Sequence, residues 1–170
     1  MPSDATPDDI AQAARRHVVD GLKATHLRVK QACRRFQQLD AGTGAVERQA
    51  LVVHVLDELT VHAALEQELL YPALREAAGA HARLVEAAER NLVELHALIN
   101  PLRTLKPEGE QHAARFVALC QRALAHMKWE EARLFPGLES LAVDWARLEG
   151  GMDQRREELV VAEAPVVAPT

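Results

Sequence analysis

The stretches HAALEQELLYPAL (residues 62–74) and HMKWEEARLFPGL (residues 126–138) share one pattern. Each begins with a histidine, has a glutamate at +4, and continues with a leucine at +8, an aromatic residue at +9, a proline at +10 and a leucine at +12. A histidine and a glutamate four residues apart project from the same face of a helix. The repeat therefore predicts two similar helical hairpins, related by a pseudo-twofold axis, that each contribute half of one site.

The rest of the sequence favours an all-α fold. Only 4% of the 170 residues are aromatic, and the chain is rich in Ala, Leu, Glu, Arg and Gln, which have high helix propensity. Apolar periodicity and the positions of Gly and Pro predict four long helices, over about 7–39, 45–78, 80–105 and 110–134. These segments predict an up-down four-helix bundle within residues 1–150.

Two smaller features flank this bundle in the prediction. A short N-terminal helical segment precedes a core that spans about residues 15–140, and a short amphipathic stretch at 138–148 is expected to pack Trp145 onto the bundle. After Gly150 and Gly151 the sequence loses its periodicity, so we expect residues 151–170 to form a disordered tail.

Each predicted bundle helix carries one histidine in the middle of its apolar stripe: His26, His62, His96 and His126. Two residues at the same level of an up-down bundle lie equally far from the turn between their helices. The midpoints of successive histidine pairs fall at Gly44, at Gly79 and two residues past Gly109, in or beside predicted turns. The four histidines are therefore expected to share one layer of the core.

This layer also receives the two glutamates of the repeat, Glu66 and Glu130. An unpaired charge buried in an apolar layer costs several kcal/mol of stability, and metal ions remove that cost. Four imidazoles and two bridging carboxylates supply about eight donor atoms, whereas two octahedral ions take about twelve. The pattern predicts a dinuclear metal site that keeps room for solvent and a small ligand.

With these residues the sequence resembles the hemerythrin-like family, also called the HHE cation-binding domain. That family has a lone His, then HxxxE followed by an aromatic residue and Pro, then another His, then a second HxxxE. The resemblance implies two non-haem iron ions per chain, with Glu66 and Glu130 as bridges. It assigns six ligands: His26, His62, Glu66, His96, His126 and Glu130. In oxygen-carrying members the last carboxylate comes five residues after its histidine, a place held here by Glu131, so Glu131 stays an alternative to Glu130.

The third helix departs from the pattern of the oxygen carriers. Those proteins have HxxxH there, whereas Asn100 stands four residues after His96 in this chain. The resemblance therefore implies a di-iron protein that binds or reacts with oxygen, nitric oxide or peroxide, in sensing or handling of oxygen, redox state or iron, and disfavours reversible oxygen carriage. One alternative is a di-iron enzyme that reduces peroxide or oxygen. Another is a bundle whose metal only stabilises the fold.

Composition excludes several other classes of partner. The formal net charge of -5 is spread along the chain and leaves no basic stripe for nucleic acid. No apolar run has the length needed to span a bilayer, and the first residues lack the features of a signal peptide. We therefore expect a cytoplasmic protein without a membrane partner, and leave open a protein partner or a homodimer.

The remaining reactive residues receive structural interpretations. Cys33 and Cys120 are far apart in sequence and form no CxxC, so both are expected to fill core space, although Cys33 could be a redox partner of the site. Tyr71 is expected to pack, because Phe135 repeats its position without a hydroxyl, although Tyr71 could pass electrons or protons near the site. Solvent-facing positions are expected for the residues off the apolar stripes: His17, His54, Glu68, His81 and Glu131. His112 lies on a stripe, but about 21 Å of helical rise from His126.

Overall fold

The computed structural model describes residues 6–40, 42, 44–105 and 110–163. In these ranges the chain forms six α-helices: α1 (Pro7–Gln38), α2 (Ala45–Leu65), α3 (Tyr71–Ala77), α4 (Ala82–Thr104), α5 (Glu110–Trp129) and α6 (Trp145–Glu163). Two π-helical turns, Glu66–Leu70 and Glu130–Leu134, and two 3₁₀ turns, Gly79–His81 and Phe135–Ser140, complete them. The described ranges contain no strand, which confirms the all-α prediction.

Helices α1, α2, α4 and α5 build the bundle. α1 packs against α2 and α5, and α4 packs against the same two helices, as in an up-down four-helix arrangement. α3 continues the direction of the chain after α2 and packs on α4. The predicted turns at 40–44 and 106–109 include residues that lie outside the described ranges. No helix in the described ranges is long and apolar enough to cross a membrane.

α1 is one continuous helix from the N-terminal segment into the core. It begins with a capping box, in which the Thr6 side chain accepts a hydrogen bond from the Asp9 backbone N–H and the Asp9 carboxylate accepts one from the Thr6 backbone N–H. Pro7 follows at the first helical position. Gly21 does not interrupt the helix; a side-chain carbon there would lie 3.7 Å from the Arg156 guanidinium. The expected N-terminal segment is therefore the first part of α1.

The tail prediction is wrong for residues 151–163, because α6 runs through Gly150 and Gly151 to Glu163. A glycine inside a helix costs about 1 kcal/mol relative to alanine. Packing outweighs this cost: Trp145, Leu148 and Met152 are buried against the bundle. Trp145 therefore packs as predicted, on a helix longer than expected, and residues 164–170 lie outside the described ranges.

Cys33 and Cys120 form a disulfide between α1 and α5, with their Cα atoms 5.9 Å apart. Both residues are buried in the core. The prediction that they are separate core fillers is therefore wrong. The two cysteines are 87 residues apart in sequence, so only the packing of α1 against α5 brings them together.

Candidate metal centre

Each glutamate of the repeat begins a π-helical turn. The backbone N–H of Tyr71 donates to the carbonyl of Glu66, and that of Phe135 donates to the carbonyl of Glu130. The proline after each aromatic residue has no N–H, and in an α-helix its ring would clash with the carbonyl four residues earlier. The helix widens there instead, a feature frequent at functional sites. The sequence repeat is therefore also a repeat of local structure.

Four side chains converge between the two π-helical turns: His62, Glu66, His126 and Glu130, here called the His/Glu cluster. One ligand atom from each lies within 4.8 Å of those from the other three. Nε2 of His62 is 3.1 Å from Oε1 of Glu66, and Nε2 of His126 is 3.4 Å from Oε2 of Glu66. The same two nitrogens lie 3.7 and 3.3 Å from Oε2 of Glu130. All four side chains are 0–1% exposed.

The donor atoms of the cluster fit a metal ion. Several have no hydrogen-bond partner although they are fully buried, among them Nε2 of both histidines, Oε1 of Glu66 and Oε2 of Glu130. Buried polar atoms are nearly always satisfied, so a convergent set of unsatisfied ones indicates a missing partner. Imidazole nitrogens together with carboxylate oxygens suit first-row transition metals. The cluster can therefore hold a metal.

Electrostatics in the cluster couples metal binding to proton release. Burial lowers the pKa of His62, but the negative charges of Glu66 and Glu130 outweigh it and raise that pKa to about 10. Burial likewise opposes ionisation of Glu66, yet His62 and His126 hold its pKa well below the ordinary value. The carboxylates that favour a proton on His62 would favour a metal cation in the same way, so a cation and a proton compete for this imidazole.

His26 on α1 aims a nitrogen at this cluster. Its Nε2 lies 3.3 Å from Oε2 of Glu130, and its side chain is 4% exposed. Its other ring nitrogen, Nδ1, is 2.7 Å from Oε1 of Glu131. A carboxylate on the far nitrogen of a metal-binding histidine fixes the orientation of the ring. Glu131, expected at a solvent-facing position and kept as an alternative to Glu130, is 46% exposed and contacts the far nitrogen of His26.

His96 is not among the side chains that converge in the His/Glu cluster. It is half-buried on α4, where Leu92, Leu95 and Ile99 point into the core. The midpoint argument fixes the level of a residue along the bundle but not its rotation about the helix axis. The role of His96 as a ligand stays a prediction.

Tyr71 contacts both glutamates of the cluster and is 1% exposed. Its hydroxyl oxygen is 2.9 Å from Oε1 of Glu130 and 3.1 Å from Oε2 of Glu66. Burial and the two carboxylates raise the pKa of Tyr71 far above its ordinary value, so the hydroxyl keeps its proton. Tyr71 is therefore buried as the packing interpretation expects, and its hydroxyl in addition contacts both carboxylates. The signal in the sequence was the hydroxyl that Phe135 lacks at the equivalent position.

The other histidines lie outside the cluster. His17 and His54 are exposed and His81 is partly exposed. His112 is buried near the opposite end of α5, 14 residues before His126. Glu68 pairs with Arg155 of α6 at the surface, as its predicted solvent-facing position allows.

The fold and the cluster together define a four-helix bundle with a buried site for metal ions. The model of the hemerythrin HHE cation-binding domain matches residues 17–116, more than half of the chain. The chain belongs to this family. The matched range includes His26, His62, Glu66 and His96, whereas the second HxxxE lies beyond it. No curated protein and no solved structure matches the chain.

Proposed function

We propose that this chain is a non-haem di-iron protein that binds or reacts with oxygen, nitric oxide or peroxide. The observation that carries the proposal is the convergence of unpartnered, buried nitrogen and oxygen atoms in the His/Glu cluster. The proposed ligands are the four cluster residues together with His26 and His96, with Glu66 and Glu130 as bridges. Glu130 is favoured over Glu131 because its Oε2 faces three imidazoles, whereas Glu131 contacts only the far nitrogen of His26.

When bound, iron would supply redox and Lewis-acid chemistry toward such a ligand. The residues of the chain hold the metal and keep bulk water away from it. Residues next to the ligands on the same helices are at most 1% exposed: Leu59, Ala63, Leu65, Leu70, Ala123 and Leu134. A buried apolar shell favours small uncharged molecules over large or charged ones, because a charge is costly to bury. This supports a diatomic gas or peroxide as the ligand.

Iron content tests the proposal directly. We expect two iron ions per chain after anaerobic reconstitution with Fe(II), because two HxxxE pairs and two further histidines supply donors for two ions. Elemental analysis of the desalted protein gives the number. One tightly held zinc and no bound iron would contradict the di-iron assignment.

The contribution of His96 is measurable by substitution. If His96 completes the coordination of one ion, His96→Ala should keep one tightly bound iron and release the other at a lower chelator concentration. His54→Ala is the matched control, because His54 is exposed on α2 away from the cluster. Equal iron content and affinity in both variants would remove His96 from the ligand set.

A second candidate function, reduction of oxygen or peroxide, is favoured by Asn100. This residue is exposed on α4. Oxygen-carrying members of the family have a further histidine at the equivalent position. With fewer imidazoles, both ions would keep an exchangeable position. We expect the anaerobically reduced, iron-loaded protein to oxidise promptly in air and to consume peroxide. Stopped-flow absorption spectra after mixing with oxygen measure this, and release of intact oxygen under vacuum would place the protein with the carriers instead.

The cytoplasmic location and the lack of a nucleic-acid or membrane partner stay predictions. The disulfide between Cys33 and Cys120 bears on the location, since stable disulfides are rare in reducing compartments. Cell fractionation combined with thiol labelling would test both points together.

A further inference from the structure

The hydroxyl of Tyr71 joins the two halves of the His/Glu cluster. Glu66 comes from the first repeat and Glu130 from the second, and the same oxygen atom lies within hydrogen-bond distance of both carboxylates. We propose that Tyr71 is a positioning residue that orients both glutamates toward the metal. This inference rests on the proposed function as a metal-binding protein.

The geometry shows which oxygen atoms Tyr71 holds. On Glu130 it contacts Oε1 and leaves Oε2 free, 3.3 Å from Nε2 of His26 and 3.3 Å from Nε2 of His126. On Glu66 it contacts Oε2 and leaves Oε1 free, 3.1 Å from Nε2 of His62. The two free oxygens are also the ones without a hydrogen-bond partner. The hydroxyl has a single proton to share between the two carboxylates, so Tyr71 holds Oε1 of Glu130 and Oε2 of Glu66 next to each other. On Glu130 this turns Oε2 toward the imidazoles, whereas on Glu66 both oxygens face imidazoles, because Oε2 also lies 3.4 Å from Nε2 of His126.

Tyr71 is itself held in place by the fold. Its backbone N–H closes the π-helical turn that begins at Glu66, so the ring and this carboxylate are linked through one turn of backbone. Its ring is buried among core residues, and Pro72 follows it directly. A rigid donor can hold a carboxylate in one orientation, which a solvent-exposed side chain would not do.

The second repeat uses the equivalent position differently. Phe135 has no hydroxyl, and its ring stacks on His26 with the ring centres 5.8 Å apart. One aromatic residue of the repeat thus supports the carboxylates and the other supports an imidazole. The two halves of the site are chemically distinct despite their common pattern.

Removal of the hydroxyl alone tests the inference. Tyr71→Phe keeps the ring and is expected to lower Fe(II) affinity, measured by chelator competition under anaerobic conditions, by about 10–100-fold, the effect typical of residues that support ligands. Thr25→Val is the matched control: it removes a buried hydroxyl next to His26 that accepts from Arg28 and touches no cluster carboxylate. That variant should keep the wild-type affinity.

Two further readouts separate positioning from a merely structural role. The visible spectrum of the Co(II)-loaded protein should change in Tyr71→Phe and not in Thr25→Val, because it reports the ligand field directly. The chain has a single tyrosine, so the ¹³Cζ NMR signal of labelled tyrosine reports on Tyr71 without any substitution. That signal should shift when Zn(II) binds to the wild-type protein.

The outcomes distinguish this inference from the proposed function. If the wild-type protein binds two iron ions, and Tyr71→Phe shows the same affinity and Co(II) spectrum, the positioning role is overturned and the metal site stands. An unchanged ¹³Cζ signal on Zn(II) binding would also overturn it. If the wild-type protein binds none of these metals, the proposed function fails and the inference falls with it.

Discussion

Replacing Glu130 with alanine is expected to abolish the binding of both iron ions. Oε2 of Glu130 lies within 3.3–3.7 Å of Nε2 of His26, His62 and His126, so one oxygen atom faces three of the four proposed imidazole ligands. Its loss leaves these nitrogens without the carboxylate that we propose as a bridge between two ions. The fall in affinity should exceed the 10–100-fold typical of residues that only support ligands. Elemental analysis and chelator competition measure it.

The neighbouring residue provides the sharpest control. Glu131→Ala removes the partner of Nδ1 of His26 but no donor atom of the cluster, so both iron ions should stay bound with an affinity reduced by about 10–100-fold. Glu68→Ala, which breaks a surface pair with Arg155, should leave metal binding unchanged. Retention of iron by Glu130→Ala together with its loss from Glu131→Ala would transfer the bridging role to Glu131.

Much of the bundle could be predicted because its signals are local. Caps, prolines and apolar periodicity depend on residues a few positions apart. These signals predicted where α1 and α2 begin and that the other bundle segments are helical. α6 was missed beyond Gly150 because its stability comes from packing on α1 and α2, which local propensity does not contain. The disulfide was missed for the same reason, since Cys33 and Cys120 meet only through the packing of α1 on α5.

The site was predicted in part, and the limits are physical. HxxxE spacing places the histidine and the glutamate on one helix face, so the sequence predicts that both HxxxE pairs contribute to the site. The four residues of these pairs do converge. Whether His96 points toward the cluster depends on the rotation of α4 about its axis. The spacing of residues between helices does not determine that rotation. Tyr71 reaches the carboxylates because a π-helical turn separates it from Glu66, and the spacing of the repeat does not reveal that turn.

The contacts of Glu131 and Tyr71 show why a repeat in sequence does not make a symmetric site. Glu131 has its counterpart in Gln67, which carries no charge, and Tyr71 has its counterpart in Phe135, which carries no hydroxyl. Glu131 holds His26 and Tyr71 holds the carboxylates, so each half supplies a support that the other lacks. Two ions in such a site would have different surroundings, even with similar ligands.

Loss of the disulfide is expected to lower the melting temperature by about 8–20 °C. The bond joins cysteines 87 residues apart, and closing a loop of that length restricts the unfolded chain by about 4–5 kcal/mol in the chain-entropy model. For a chain of this size, 1 kcal/mol shifts the melting temperature by about 2–4 °C. Scanning calorimetry of metal-free Cys33→Ala/Cys120→Ala against the oxidised wild type measures the change.

Two effects of that double variant must be separated, because alanine also removes two buried sulfur atoms and leaves space in the core. The matched control is wild-type protein that has been unfolded with reductant, refolded and kept reduced, since it has the same side chains without the bond. Unfolding is needed because both cysteines are buried from external thiols. Equal melting temperatures for the reduced and oxidised wild type would contradict the prediction. The double variant and the reduced wild type should both show the lower melting temperature, and both should bind as much iron as the oxidised wild type after reconstitution. That result would show that the disulfide stabilises the contact between α1 and α5 and is not needed for the metal ligands.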